Sequence, residues 1–313
     1  MAQQFLRKLT QLTFALSLLI VCGASAMAQV AQPNDMKPGS ILFYNIYTSN
    51  PSNPQGQDTQ INITNTNSSA SVMVHLFFID GSTCTPADGF VSLTPNQTGY
   101  FLASDFDPGV TGYIVAVAES GGGPSQFNYL TGDLLLRQNN GQLANLSAVS
   151  IAKLSPGAVV PNGDGTASLK FDGVDYEQLP GVVAISTFNS PITYNTTLVL
   201  YSPSADLIVG STDTFPIAAL IFDDHEKAFS VSFRIGCFNQ ISLASLRVLQ
   251  GLSNIVPVGR TGWMRMGSGS WGIRAAAIPL LGAVLTKGAP FNGGHNLHQL
   301  ALAGSYTITI PSF

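Results

Sequence analysis

The chain has 313 residues, with 13 Lys+Arg against 17 Asp+Glu and only 10% charged residues. A mildly acidic chain without runs of Lys or Arg lacks the basic footprint that nucleic acid or an anionic membrane surface requires, so neither is an expected partner. Neutral Ser, Thr, Asn, Gln and Gly must then carry much of the surface, which suits an extracellular protein whose faces meet other surfaces, a glycan, a protein or another copy of itself.

In chain order, residues 1–28 come first. Arg7 and Lys8 form a short positive start, residues 12–21 an apolar core, and Ala26-Met27-Ala28 a small-residue cleavage pattern. That is the make-up of a secretory signal peptide, so the protein is expected to be secreted, whether extracellular, at the cell surface or periplasmic. The apolar run falls short of the roughly 20 residues a membrane-spanning helix needs, and no later stretch replaces it. Removing 1–28 leaves 11 Lys+Arg against 17 Asp+Glu, a formal charge of −6. Two cysteines remain, Cys84 and Cys237. In an oxidising compartment such a pair is expected to be bridged.

Residues 29–40 are polar, contain Pro33 and Pro38, and read as a flexible leader. From residue 41 the pattern is strand and turn. Residues 41–47 form an apolar and aromatic run, 60–64 alternate polar and apolar, 72–79 are β-branched and aromatic, and Asp80-Gly81 closes that run. Further strands are expected at 90–93, 99–103, 113–117 and 127–136, separated by Pro95-Asn96, Asp107-Pro108-Gly109 and residues 119–124. Short strands at this spacing, each ended by Gly, Pro, Asn or Asp, are the signature of a β-sandwich. Residues 143–154 tolerate a short helix. The Pro/Gly/Asn-rich stretch 156–166 reads as a linker.

Beyond it the order restarts. Residues 182–188 before Asn189-Ser190-Pro191 mirror 41–47 before Ser49-Asn50-Pro51, and 197–201 mirror 60–64. Cys237 follows a strand pair as Cys84 follows 72–79, Thr261-Gly262-Trp263 matches Thr98-Gly99-Tyr100, and Phe291-Asn292 matches Phe127-Asn128. The expected fold is all-β, with two tandem immunoglobulin-like or jelly-roll-type sandwich domains at 41–155 and 167–313, or alternatively one composite sandwich. The segments F-F-I-D-G-S-T-C, L-T-P-N-Q-T, G-Y-I-V-A-V-A and F-N-G-G-H-N-L-H-Q-L resemble secreted bacterial β-rich proteins of no assigned function. That resemblance, over most of 41–310, implies secretion and a β fold and brings no catalytic residue, cofactor or ligand.

A hydrolase needs a nucleophile with a base, or paired carboxylates in a cleft. There is no G-x-S-x-G, and the histidines are His75, His225, His295 and His298. His75 lies inside an apolar strand and reads as a strand residue with a local hydrogen bond. Asp105, Asp107, Asp164, Asp172, Asp175, Asp223, Asp224 and Glu226 cluster at turns, where Asp bonds nearby amides; calcium is the functional reading of the same pattern. His295 and His298, at i and i+3, could bind zinc or copper, with His225 and its acidic neighbours as a further ligand source. Trp263 and Trp271 flank Gly267-Ser268-Gly269-Ser270. With Tyr44, Tyr47 and Tyr100 they offer either sandwich core or an aromatic platform for sugar rings. At the C-terminus, Pro311, Thr309 and Thr307 occupy positions that an outer-membrane barrel strand fills with apolar residues, which argues against a barrel. The expected function is a non-catalytic structural, adhesive or recognition role at the cell exterior, without cofactors. The alternatives are a carbohydrate-binding module and a secreted hydrolase or metal-dependent enzyme.

Overall fold

The structure, a computed structural model, describes residues 34–268, 278–289 and 291–312. The expected signal peptide, residues 29–33 of the leader, and Trp271 lie outside the described residues. Strands β1 (Ile41–Thr48), β2 (Asp58–Asn65), β3 (Val72–Asp80), β4 (Pro86–Leu93), β5 (Thr98–Leu102), β6 (Thr111–Ser120), β7 (Gly123–Pro124), β8 (Leu130–Arg137), β9 (Leu143–Ser147) and β10 (Val149–Ile151) come first. They are followed by β11 (Thr166–Phe171), β12 (Pro180–Asn189), β13 (Asn195–Tyr201), β14 (Phe215–Asp223), β15 (Ala228–Ile235), β16 (Asn239–Ser242) and β17 (Thr261–Ser268). The last are β18 (Leu281–Lys287), β19 (Asn292–Asn296), β20 (His298–Leu302) and β21 (Tyr306–Pro311). Where a helix was tolerable, β9 and β10 stand instead. In β9 exposed and buried residues alternate, a period of two that no helix face can use. No helix among the described residues is long and apolar enough to cross a membrane.

Four larger sheets result, which we number one to four. Sheet one has the order β10-β1-β6-β3-β4, with β7 beside β6; sheet two is β5-β2-β8-β9. Sheet three is β16-β13-β18-β19, sheet four is β15-β14-β17-β12-β20, and β11 and β21 form a separate ribbon. The four stand as blades of a β-propeller arrangement, which corrects the expectation of two tandem immunoglobulin-like or jelly-roll sandwiches.

The finding that overturns that expectation is the core. The central strands of sheet three, β13 and β18, are buried on both faces: Leu198, Leu200 and Val284 belong to the apolar cluster shared with sheet four. Their alternate residues Val199, Tyr201, Leu281, Ala283 and Leu285 belong to the cluster of sheets one and two. Ala167, Leu169 and Phe171 of β11 and Ile308 and Ile310 of β21 join that same cluster. The described residues therefore fold as part of one compact unit, Gln32–Phe313. Alternation in sequence shows that a strand has two faces. It does not show what covers the second one.

Strand order nevertheless recurs. Reversing sheet four gives β20-β12-β17-β14-β15, strand for strand the order of sheet one, and sheet three repeats sheet two. Each copy of the central pairing slips once, between Tyr44 and Tyr47 in β1 and between Ile185 and Phe188 in β12. The turn after β3 holds Cys84 at φ 64° and the turn after β14 holds Glu226 at φ 66°. This register corrects three of the matched segments. Thr261-Gly262-Trp263 begins β17 as Thr111-Gly112-Tyr113 begins β6, so Thr98-Gly99-Tyr100 of β5 is not its counterpart. Cys237 lies after β15, where Cys84 has no equivalent, and Asn292 opens β19, the counterpart of β9 rather than of the segment holding Asn128. A Thr-Gly-aromatic triplet occurs at each of these places, and only the hydrogen-bonded register tells them apart.

Cys84 and Cys237 are joined by a disulfide that ties the β3–β4 turn to the segment after β15. Both cysteines are buried.

Candidate functional site

Asn45 lies in the middle of β1, a strand buried along its whole length. A buried amide is tolerated only if its donors and acceptors are matched. Here they are matched by sheet three. Asn45 Nδ2 donates to the Gly282 carbonyl at 3.0 Å and to Asn296 Oδ1 at 2.8 Å. The Tyr201 hydroxyl donates to Asn45 Oδ1 at 2.9 Å. Asn296 passes the chain on: its Nδ2 donates to the Ser147 carbonyl at 2.7 Å and to Asp35 Oδ2 at 3.2 Å.

This network forms one wall of a cleft of about 430 Å³ where sheets one, three and four meet. Its polar lining comprises Asn34, Asp35, Asn45, Ser186, Thr187, His295, Asn296, His298 and Gln299. Val149, Pro180, Val183, Leu280, Leu281 and Leu297 supply the apolar part of the lining. The chain reaches the cleft by an unusual route. It leaves sheet three at the end of β19, crosses at Leu297, whose amide donates to the Gly282 carbonyl at 3.0 Å, and enters sheet four as β20.

That crossing places His295 opposite Val284 on the edge of sheet three and His298 opposite Ala184 on the edge of sheet four. Their ring centres are 6.0 Å apart. His295 Nε2 is buried without a hydrogen-bond partner among the described residues. Burial, and then the proximity of His298, hold its imidazole below the usual histidine range, so it is neutral near pH 7. His225 does not join them. It sits at the β14–β15 turn against Arg260 and Asp224. Among the described residues no group of three or more His, Cys, Asp or Glu side chains is gathered for a metal ion.

The aromatic residues separate in the same way. Tyr44 and Tyr47 are fully buried core. Tyr100 is 76% exposed on β5 in sheet two, whereas Trp263 is 37% exposed on β17 in sheet four. They form no common platform. Trp263 instead stacks flat on Phe222 of β14, with ring centres 4.4 Å apart and planes 8° from parallel.

Of the turn carboxylates, Asp164, Asp172 and Asp223 are engaged by their own loops, whereas Asp107 accepts from the Tyr47 hydroxyl, Asp175 pairs with Lys153 and Asp224 with Arg260. Asp164 accepts from the Thr166 amide and hydroxyl at 3.0 and 2.6 Å. Asp172 accepts from the amides of Val174 and Asp175, each at 2.8 Å. Asp223 accepts from the amides of His225 and Lys227, each at 2.9 Å. His75 is buried between Glu119 and Asp88, 3.1 and 3.0 Å from its ring nitrogens.

Sequence reasoning singled out His295 and His298 but missed Asn45, Asn296, Asp35, Ser186 and Thr187. One signal was present. Asn45 interrupts an otherwise apolar and aromatic run, and a polar side chain inside a doubly buried strand demands partners. The others are distant in sequence, and nothing in their spacing brings them together.

No protein-family model matches the chain, and no curated protein matches it. Among solved structures it is similar to the crystal structure of Thermotoga maritima 1070, at 15% identity and a TM-score of 0.29, over 39% of this chain and 100% of that one. It is also similar to the crystal structure of a lectin from Pleurotus ostreatus in complex with GalNAc, at 9% identity and a TM-score of 0.15, over 91% of this chain and 82% of that one. Neither similarity carries fold or function to this chain.

Proposed function

We propose that the protein is a non-catalytic recognition protein of the cell exterior, and that the cleft between sheets one, three and four takes a neutral polyhydroxylated ligand of mono- or disaccharide size. The observation that carries this reading is the lining of the cleft. Amides, hydroxyls, imidazoles and the Asp35 carboxylate share the lining with apolar side chains in about 430 Å³, within the roughly 300 to 1,000 Å³ typical of ligand pockets. Sugars present hydroxyls at their edges and C–H faces between them, and such a lining meets both. Asp172 and Asp223, already bonded to amides of their own turns, support a binding role over a hydrolytic one. Export is supported by the composition of residues 1–28.

The test is calorimetric titration with a panel of neutral mono- and disaccharides. Ser186 and Thr187 are exposed at the cleft mouth, so Thr187→Trp narrows it without touching the core. At least one sugar is expected to bind, and the blocked variant to bind it at least tenfold more weakly. Binding that survives the block while Trp263→Ala abolishes it would move the site to the Trp263–Phe222 stack. No binding by any sugar would overturn the reading.

A further inference from the structure

Two of the four histidines already have close partners. His75 is held by two carboxylates, and His225 by Arg260. His295 and His298 stand differently: their ring centres lie 6.0 Å apart across the β19–β20 crossing with planes tilted by 49°, and a buried nitrogen of His295 has no hydrogen-bond partner among the described residues. A buried imidazole nitrogen left unbonded costs free energy, and a bound ion is one of the partners that satisfies such a group. We infer that His295 and His298 together bind a late divalent transition-metal ion, copper or zinc, in the wall of the cleft.

The distances admit it. An ion bonded to two imidazole nitrogens at about 2.0 to 2.1 Å sits about 3.2 Å from each ring centre, so the centres can be at most about 6.4 Å apart. The observed separation of 6.0 Å corresponds to an N–metal–N angle of about 140°, and a tetrahedral angle needs the centres about 5.2 Å apart, a shift that the exposed His298 side chain can supply. The chemistry admits it too, because neutral imidazole selects copper, nickel and zinc over calcium and magnesium. With two imidazoles and no third His, Cys, Asp or Glu gathered beside them among the described residues, the site is open. An open site exchanges its ion and leaves positions for a second ligand, whereas a structural zinc site closes with four protein ligands. The metal site stands independently of the sugar reading, since it rests on the two histidines alone.

The experiment is titration of the full chain with Cu²⁺ and with Zn²⁺ by calorimetry, with electron paramagnetic resonance of the Cu²⁺ complex. One ion per chain is expected, with splitting from two imidazole nitrogens. His298→Ala is expected to weaken binding at least tenfold and reduce the splitting to one nitrogen. His298 is exposed, so that variant keeps its fold, checked by an unchanged circular dichroism spectrum. His225→Ala is the control and is expected to change nothing. Absence of binding, binding unchanged in His298→Ala, or binding lost in His225→Ala would each overturn the inference. None of these outcomes bears on sugar binding measured in metal-free buffer.

Discussion

Asn45 shows how far one polar residue can organise the contact between sheets. Replacing it with alanine removes the acceptor of the buried Tyr201 hydroxyl and one of two donors to the Gly282 carbonyl, which keeps the Leu297 amide. The orphaned hydroxyl costs about 1 to 3 kcal/mol, so Asn45→Ala should lower unfolding free energy by about that much in urea titrations. It should also weaken cleft binding, because Asn296 loses its neighbour. The tyrosines make a second prediction at this scale. Tyr44, Tyr47, Tyr113, Tyr176 and Tyr201 all have their hydroxyls pushed well above the usual phenol range, by burial first of all. Tyr306, by the same cause, is pushed up to about 12. A raised folded value means the stabilisation is complete below the unfolded phenol value near 10 and is lost as pH climbs beyond it. Cooperative alkaline unfolding is therefore expected above about pH 10, with the phenolate absorbance of these residues rising in step with loss of β circular dichroism. A smooth titration of all phenols in the folded protein would contradict it. At this scale the sequence was legible where chemistry is local, as with turn aspartates, and silent where partners are distant, as with Asn296.

At the level of strands, composition and alternation were enough to place most of β1, β2, β3 and β6 near their observed bounds. Register was not, and the glycines that open β6 and β17 show why. A Cβ on Gly112 would stand 1.7 Å from the Ile79 carbonyl oxygen of β3, a backbone atom that cannot turn aside. On Gly262 the nearest atoms would be the Phe222 carbonyl oxygen at 2.8 Å and Val256 Cγ2 at 2.9 Å, a milder conflict partly with a side chain. Both glycines lie opposite the slipped residue of their central strand, Tyr47 and Phe188. Gly112→Ala should therefore destabilise by more than about 3 kcal/mol and Gly262→Ala by about 1 to 3 kcal/mol, overpacking against backbone being harder to relieve. Chemical denaturation of the two variants checks the order. The reverse ranking would show that the two slips are not equivalent. A Thr-Gly-aromatic triplet carries none of this by itself, since its meaning comes from the strand across the sheet.

Across the whole molecule, the question is whether the two halves of repeated strand order unfold separately. Beyond the Asn45 network, two links bind them: the disulfide and the buried outer face of sheet three. The bridge spans 153 residues, and in the chain-entropy model a loop of that length is worth about 4 to 5 kcal/mol. Cys84→Ala/Cys237→Ala should thus lose about that much. The second link is apolar and stays. Tyr113 of β6 stacks on Tyr201 of β13 with ring centres 4.1 Å apart, and Phe238 packs beside both. Separating the halves would expose Val199, Leu281, Ala283 and Leu285 along with these rings. At about 25 cal/mol per Å² of apolar surface, opening such a face is too costly to precede unfolding of the rest. The double variant is therefore expected to unfold at lower denaturant in one transition. Tryptophan fluorescence, which reports the second half, should coincide with tyrosine circular dichroism, to which the first half contributes Tyr44, Tyr47 and Tyr113. Two separated transitions would mean that the disulfide alone couples the halves and that the shared face of sheet three contributes little.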